Sequence, residues 1–488
     1  MQRIHLGLTS EKDKSYDIVI DRGVFANIAS DLRMKRFAEK YVVITDKKVG
    51  KLYSKKLIDA LKREELYLGK IVVPVGESSK SVEQFSECLE DMVGLGANRK
   101  TGIIALGGGV VGDLGGYVAA SFMRGIEYVH VPTSLLAMVD SSIGGKVGID
   151  LKAGKNLAGA FWHPKKVYID PDVLRTLPQK HWRAGLGEAL KYGAIKERPL
   201  WEFFEKHIEL WKKKPNDFLP SEWETVSEMI ARCAQIKVNV VMKDEREGNV
   251  RQILNYGHTF AHVVEHMSDY EVVHGEAVAV GMRMAAALAV EMRFMPQTEY
   301  DRQNDLLDAL GLGKTKTKGL IKDFVKHMRK DKKAKGDLRV VLVSRLGTCY
   351  QQMGQFGIAV EEKIVKKVIE QGEWVDDVEV VDMSQPSSSF QPQTVSSVEQ
   401  KRALDDVSST WDGVTSGSYS PSQSTSTSYG APLSSTSFVG ETDLQKRLRE
   451  MRERAEAKRQ YREQSGGAGG LNSSEGAGLG SGGGFLPG

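Results

Sequence analysis

Three groups of residues in this chain combine side chains that can do chemistry with spacings that bring them together. The first is Leu106-Gly107-Gly108-Gly109-Val110-Val111-Gly112-Asp113. Gly107, Gly109 and Gly112 have G-x-G-x-x-G spacing, behind an apolar run and ahead of a helical pattern. Such glycines let backbone approach a pyrophosphate, and the helix start offers it unpaired N–H groups. The same spacing also serves a tight strand-to-helix turn with no ligand. A dinucleotide would need an acid for its ribose. The usual spacing nominates a residue near Glu127, and Asp46, at the end of an earlier apolar run, is an equal candidate.

The second group is rich in metal-ligand side chains: Glu188, His258, His262, His274 and Glu276. His258 and His262 stand four residues apart and share one helical face. Two imidazoles and a carboxylate with an open position form a catalytic, zinc-type set. Taken singly, each residue is more often a satisfied core or surface side chain; their concentration in a mostly apolar helical region is what favours a metal. Spacing leaves open which three of the five hold a metal. The third group is cationic: Arg124, Lys146, Lys152, Lys155, Lys191, Lys237 and Arg251. Several stand beside Gly, Asn or Asp, as in residues 140–146 and 154–156, which read as loops able to approach an anion. One lysine of this kind is ordinary surface; a cluster suits a phosphorylated or carboxylated substrate.

The elements that must position these groups follow from periodicity. Up to about residue 172, β-branched runs at residues 41–45, 70–74, 102–106, 128–132 and 167–170 alternate with helical segments, including 81–92. That alternation predicts a parallel sheet covered on both faces, a Rossmann-like α/β domain over 1–172. From 173 to 374 the pattern turns helical, at 185–196, 200–213, 223–243, 258–266 and 275–293, with a late strand at 338–343 and a closing helix at 359–370. The expected fold class is therefore α/β followed by a mainly α-helical domain. Residues 375–488 are low in large aliphatics and rich in Ser, Thr, Pro, Gln and Gly, the composition of a disordered tail. Within it, 441–464 is a charged helix candidate. Leu444, Leu448, Met451 and Ala455 form a short apolar seam there, either partner-binding or simply solvated.

Bulk composition excludes several classes. The chain has 488 residues, with 68 basic and 64 acidic residues and a formal charge of +4, so nothing favours nucleic acid or an anionic membrane. Its three cysteines, Cys88, Cys233 and Cys349, are scattered, as expected of reduced thiols in the cytoplasm. The N-terminal residues show neither a signal nor a transit pattern, and no apolar run is long enough to span a bilayer.

Taken together, several stretches resemble the 3-dehydroquinate synthase family of the sugar-phosphate cyclase superfamily, from about residue 4 to 372. They are residues 75–80, 107–113, 131–146, 154–156, 188–192, 254–262 and 274–276, in family order. The resemblance implies an N-terminal Rossmann-like domain, a C-terminal helical domain, an active site between them and a homodimer. It implies NAD and one divalent metal, zinc or cobalt, as cofactors. Glu188, His258 and His274 match the metal ligands. His262 matches an acid/base and phosphate-contacting residue instead. Asp46, Glu77, Lys80, Gly109, Val110, Val111, Gly112, Asp113, Thr133, Ser134, Lys146, Lys155, Val173, Leu174, Arg175 and Thr176 match cofactor contacts. Arg124, Asp140, Lys146, Asn156, Lys191, Lys237, Arg251 and Asn255 match substrate contacts, with Arg124 and Lys191 also in catalytic positions. Glu247 matches a proton acceptor, and Asp331-Lys332-Lys333 a substrate-binding motif in which either lysine could reach the ligand.

The implied reaction turns 3-deoxy-D-arabino-heptulosonate 7-phosphate into 3-dehydroquinate and phosphate, a shikimate-pathway step towards aromatic amino acids. It runs by transient oxidation, phosphate elimination, re-reduction and aldol closure. Rival readings are another sugar-phosphate cyclase, a metal-dependent polyol dehydrogenase, and a scaffold built on an inactive enzyme. The tail has no counterpart in the family pattern.

Overall fold

The computed structural model describes residues 14–268, 271–314, 324, 328, 338–372 and 374, all within one compact unit. The expected residues 441–464 helix and the Asp331-Lys332-Lys333 motif lie outside them. Six strands form a parallel sheet: β1 (Asp17–Ile20), β2 (Lys40–Asp46), β3 (Tyr67–Val73), β4 (Thr101–Gly107), β5 (Tyr128–Pro132) and β8 (Lys166–Ile169). Their order is β1-β8-β5-β4-β2-β3. Alternate residues point to opposite faces, and both faces are covered over the inner strands. Tyr41, Val43, Ile104 and Leu106 enter one core, and Val42, Ile44, Ile103 and Ala105 the other. The first core continues unbroken into the helices beyond the sheet, through Leu186, Leu190, Val278 and Met282.

Helices follow the strands with recognisable starts. Ser81 caps Val82–Gly94, its hydroxyl accepting from the Gln84 N–H at 3.2 Å. The helical part comprises Gln179–Ile195, Arg198–Lys206, Ile208–Lys212, Glu222–Lys243, His258–Met267, His274–Glu291, Gln297–Ala309 and Glu362–Gln371. Among the described residues no helix is long and apolar enough to cross a membrane. Cys88 and Cys233 are buried, and none of the three cysteines is in a disulfide.

Four local differences from the sequence expectation have physical causes. Residues 154–156, read as an anion-approaching loop, open β7 (Gly154–Phe161), which pairs antiparallel with β6 (Lys146–Leu151); of the 140–146 loop only Lys146 falls in a strand. Gly148 faces Gly159 across this hairpin, and a Cβ on either would lie 2.6 or 2.3 Å from the opposite strand's carbonyl oxygen. β7, Gly-Lys-Asn-Leu-Ala-Gly-Ala-Phe, carries no β-branched residue. The residues 200–213 helix breaks at His207. Gln297–Ala309 is an additional helix whose polar composition hid it. Near the end, β9 (Leu338–Val341), β10 (Val343–Arg345), β11 (Thr348–Cys349) and β12 (Gly357–Val360) form two antiparallel pairs, so residues 357–360 are strand and the closing helix starts at Glu362.

Candidate active site

The site begins at the carboxyl ends of β2, β4 and β5. The chain leaves β2 towards β3 and returns to β2's other side as β4, opening a crevice at the point where ligands of such sheets sit. β4 runs into Gly109–Ser121, whose first turn presents unpaired N–H groups to that crevice. The glycines are required by packing. A Cβ on Gly107 would stand 2.5 Å from Val111 Cβ, and one on Gly112 only 2.1 Å from His130 Cε1. Asp46 ends the neighbouring β2 and accepts the Lys48 and Val49 N–H groups at 2.8 and 2.9 Å. Thr133 follows β5 and donates its N–H to Gly107 O at 2.9 Å, with Ser134 beside Gly108. Glu127 lies at the opposite edge, before β5, where its carbonyl accepts from Ile103 N and its carboxylate faces Lys165 at 3.6 Å. It cannot reach the crevice, so the spacing-based nomination of Glu127 is corrected.

Lys80 is 4% exposed and carries the charge of this region. Its ammonium meets Asp113 at 2.9 Å, Asn156 Oδ1 at 2.5 Å, Glu77 at 3.5 Å and Asp150 at 3.8 Å. Burial lowers its proton affinity, but Asp113 and Glu77 more than reverse this and hold it above the ordinary lysine value. The Val173–Thr176 residues form a 3₁₀ turn pinned by Tyr53, whose hydroxyl donates to Val173 O at 2.9 Å and lies 2.6 Å from Thr176 Oγ1. Arg175 is turned away, onto Asp172 and the Trp223 ring.

Three helices bring Glu188, His258 and His274 together. Each residue has a glycine beside it, and those glycines make the helix contacts. A Cβ on Gly187 would be 2.1 Å from Gly275 O, and one on Gly275 1.7 Å from Ala184 O. Gly257, at φ +81, fits against Val278 O and Met282 N, and Gly281 against Gly257 O. Glu188 is 1% exposed, and no well-directed hydrogen bond reaches either of its oxygens. His258 Nε2 and His274 Nε2 stand 3.5 and 3.3 Å from Glu188 Oε1. Metal–ligand bonds of about 2.0–2.1 Å in a tetrahedron put ligand atoms roughly 3.4 Å apart. The donor set therefore fits a zinc-type ion. The remote nitrogens are also held, His258 Nδ1 at 3.2 Å from Tyr256 O and His274 Nδ1 at 3.3 Å from Glu265 Oε2. In the protein alone, burial and Lys191 press His258 down to about 3, while Glu188 and Glu265 outweigh burial at His274 and lift it to about 10. His262 is exposed, its ring 5.9 Å from that of His258, and Glu276 pairs with Arg183 at 3.2 Å; neither joins the three-atom cluster.

Beside that cluster the cations interleave with carboxylates. Lys191 touches Glu188 and stands 4.0 Å from Asp140; Lys237 reaches Asp140 Oδ1 at 2.9 Å and its carbonyl at 2.6 Å. The Tyr192 hydroxyl also donates to Asp140. Burial would raise Asp140, but Lys237 and then Lys191 hold it far below the usual carboxylate range. Lys146 contacts Glu247, which also accepts from Asn255 Nδ2 at 2.7 Å. Burial pushes Glu247 up, and Lys146 and Asn255 bring it below its ordinary value. Arg251 is 2% exposed and donates to the carbonyls of Glu245 and Gly144. Arg124, Asn156 and Glu247 have positive φ, of 67°, 55° and 63°, a costly conformation for non-glycine residues. Arg124 is exposed on a turn, and among the described residues no hydrogen bond or ion pair ties its guanidinium to the cluster.

Residues 70–184 match the family model of the 3-dehydroquinate synthase N-terminal region, and residues 185–334 that of its C-terminal region. A 3-dehydroquinate synthase from Prochlorococcus marinus (strain AS9601) is 39% identical over 339 residues, 69% of this chain and 92% of that protein. The chain belongs to the 3-dehydroquinate synthase family. Among solved structures, 2-deoxy-scyllo-inosose synthase in complex with carbaglucose-6-phosphate, NAD+ and Co2+ is 28% identical with a TM-score of 0.63, covering 73% of this chain and 96% of that one. A 2-epi-5-epi-valiolone synthase from Streptomyces hygroscopicus subsp. jinggangensis with NAD+ and Zn2+ is 26% identical with the same TM-score, covering 75% and 98%. The fold of this 3-dehydroquinate synthase family member, a Rossmann-like α/β part followed by a helical part, is thus shared with sugar-phosphate cyclases.

Sequence reasoning missed Glu265 and Asp150 and assigned no role to Tyr192. Glu265 sits seven residues after His258, a helical spacing that returns it to nearly the same face and is the one signal that could have found it.

Proposed function

We propose that this chain is an NAD- and divalent-metal-dependent 3-dehydroquinate synthase, a carbon–oxygen lyase converting 3-deoxy-D-arabino-heptulosonate 7-phosphate to 3-dehydroquinate and phosphate. The observation that carries the reading is the convergence of Glu188, His258 and His274 beside Asp140, Lys191 and Lys237, in a chain matched by both halves of the family. Bound NAD would accept and return a hydride, and the metal would polarise substrate oxygens as a Lewis acid. Glu188, His258 and His274 would hold the metal. The turn at Gly109–Asp113, with Asp46, Glu77, Lys80, Thr133, Ser134, Lys155 and residues 173–176, would seat the dinucleotide.

The remaining residues would handle a dianionic substrate. Lys146, Lys191 and Lys237 stand against Asp140, Glu188 and Glu247, and Arg251 donates to backbone carbonyls beside them. A bound phosphate and carboxylate would compete with these carboxylates for the same cations. Asn156 and Asn255 supply amide contacts. Glu247, ionised and held between Lys146 and Asn255, would accept a proton. His262, exposed beside His258, would exchange protons at the phosphate-bearing end, and Arg124 would contact substrate from its turn. We read the molecule as two lobes, residues 1–172 and 173–374, meeting at this site, and as a cytoplasmic homodimer.

The test is to incubate purified protein with the heptulosonate phosphate, NAD and zinc and to follow phosphate release and the 3-dehydroquinate formed. Turnover of sedoheptulose 7-phosphate in place of the acid substrate would overturn the reading in favour of another cyclase.

A further inference from the structure

Glu265 is a buried acid, 3% exposed, with both oxygens committed to different partners. Oε2 lies 3.3 Å from His274 Nδ1, and Oε1 lies 3.0 Å from Lys155 Nζ. The other nitrogen of the same imidazole, His274 Nε2, stands 3.3 Å from Glu188 Oε1. A continuous polar path therefore runs from the β6–β7 hairpin, which carries Lys155, through Glu265 and His274 to Glu188.

The two helices that carry Glu265 and His274 come together for the steric reason already described. Glu265 lies in His258–Met267 and His274 opens His274–Glu291; the contact at Gly257 and Gly281 brings those helices close enough for the carboxylate to reach the ring.

We propose that Glu265 is a positioning residue for the metal centre: it fixes the tautomer and the rotation of His274. This rests on the metal reading given above. A neutral imidazole carries one proton on either nitrogen. A carboxylate facing Nδ1 takes the hydrogen bond from that nitrogen and leaves the Nε2 lone pair for the ion. Lys155 holds the other oxygen, so the carboxylate cannot swing away from the ring. Without Glu265, Nδ1–H loses its acceptor, the ring can turn, and the tautomer with a proton on Nε2, which cannot bind metal, becomes accessible. His258 needs no such acid, because Tyr256 O stands 3.2 Å from its Nδ1.

A purely structural carboxylate would stabilise the fold and leave metal affinity alone, so the experiment separates the two. The full-length protein, stripped of metal by a chelator, is titrated with zinc against a chromogenic chelator, and separately with cobalt while the visible absorption bands are recorded. Glu265→Gln places an amide where both His274 and Lys155 present N–H groups, and should weaken zinc binding about 10- to 100-fold and shift the cobalt bands. The thermal midpoint of the metal-free protein should move little. Glu265→Asp keeps the charge but withdraws it by one methylene, and should also weaken metal binding, which covers the case in which the glutamine variant fails to fold. Zinc affinity within about twofold of the parent for the folded variants, with unchanged cobalt bands, overturns the proposal. Glu188→Gln serves as reference. If it retains metal, the metal reading itself is wrong; if it loses metal while the Glu265 variants keep theirs, only the positioning role fails.

Discussion

Replacing Gly275 with alanine tests the idea that glycine contacts between helices assemble the metal cluster. The added Cβ would lie 1.7 Å from Ala184 O and 2.5 Å from its carbonyl carbon, both rigid backbone atoms of Gln179–Ile195. Ordinary contact begins near 3.4 Å, so the two helices must separate by more than about 1 Å. Overpacking of this kind costs about 1–3 kcal/mol. For a chain of this size that lowers the thermal midpoint by only a few degrees, at roughly 2–4 °C per kcal/mol. The metal should suffer more. His274 is the residue before Gly275 and Glu188 lies on the opposing helix, so the separation acts on the distance between two ligands. Metal sites tolerate deviations of only about 0.2 Å. Gly275→Ala should therefore remain folded, keep its NAD affinity, and lose at least about tenfold in zinc affinity by chelator competition, with activity falling in parallel. Zinc affinity and turnover equal to the parent, in a variant whose midpoint has dropped by those few degrees, would refute the argument that this helix contact sets the ligand geometry.

Other consequences can be checked directly. Glu188→Gln and His274→Ala should each abolish stoichiometric metal in dialysed protein, whereas His262→Ala should keep the metal and lose turnover; equal metal loss in all three would show that the ligand set is wrong. Glu247 titrates below its ordinary value because Lys146 and Asn255 outweigh burial. A base that must be ionised then limits kcat/KM only below the pH range in which an ordinary glutamate titrates. Lys146→Met removes the opposing charge, raises the Glu247 pKa and should move that acid limb to higher pH; a profile that falls in rate without moving would detach Glu247 from Lys146. A protein ending after Trp374 retains the buried indole, which donates to Ile369 O at 2.8 Å. It should keep the catalytic rate and thermal midpoint of the full chain, since every proposed site residue among those described precedes that point.

What sequence determined by itself was local. The inner strands β2, β4, β5 and β8 show as apolar, β-branched runs because both faces of a covered parallel sheet must be apolar over consecutive residues, whereas the edge strand β3 buries only alternate residues. The glycine turn after β4 is legible because tight backbone approach admits few residue types. Ser81 marks a helix start through its own hydroxyl. Five candidate ligands could be named from residue type and from the i, i+4 face shared by His258 and His262.

Tertiary structure decided the choices that depend on distance across the fold. Glu188 lies 70 residues before His258, and no spacing rule connects them; the close contacts at Gly187, Gly257, Gly275 and Gly281 bring Glu188, His258 and His274 to one point and leave His262 and Glu276 aside. Asp46 and Glu127 were equal acids on paper, and the direction of their strands put one at the crevice and the other at the far edge. The Gly154-Lys155-Asn156 stretch passed for a loop because Gly, Lys and Asn carry no strand signal, and its place in β7 shows only through its pairing with β6. Glu265 looked like any acid on a helix until His274 and Lys155 closed on its two oxygens. Periodicity records which side of an element is buried; which buried side chains meet is set by the contacts between elements, and those exist only once the chain has packed.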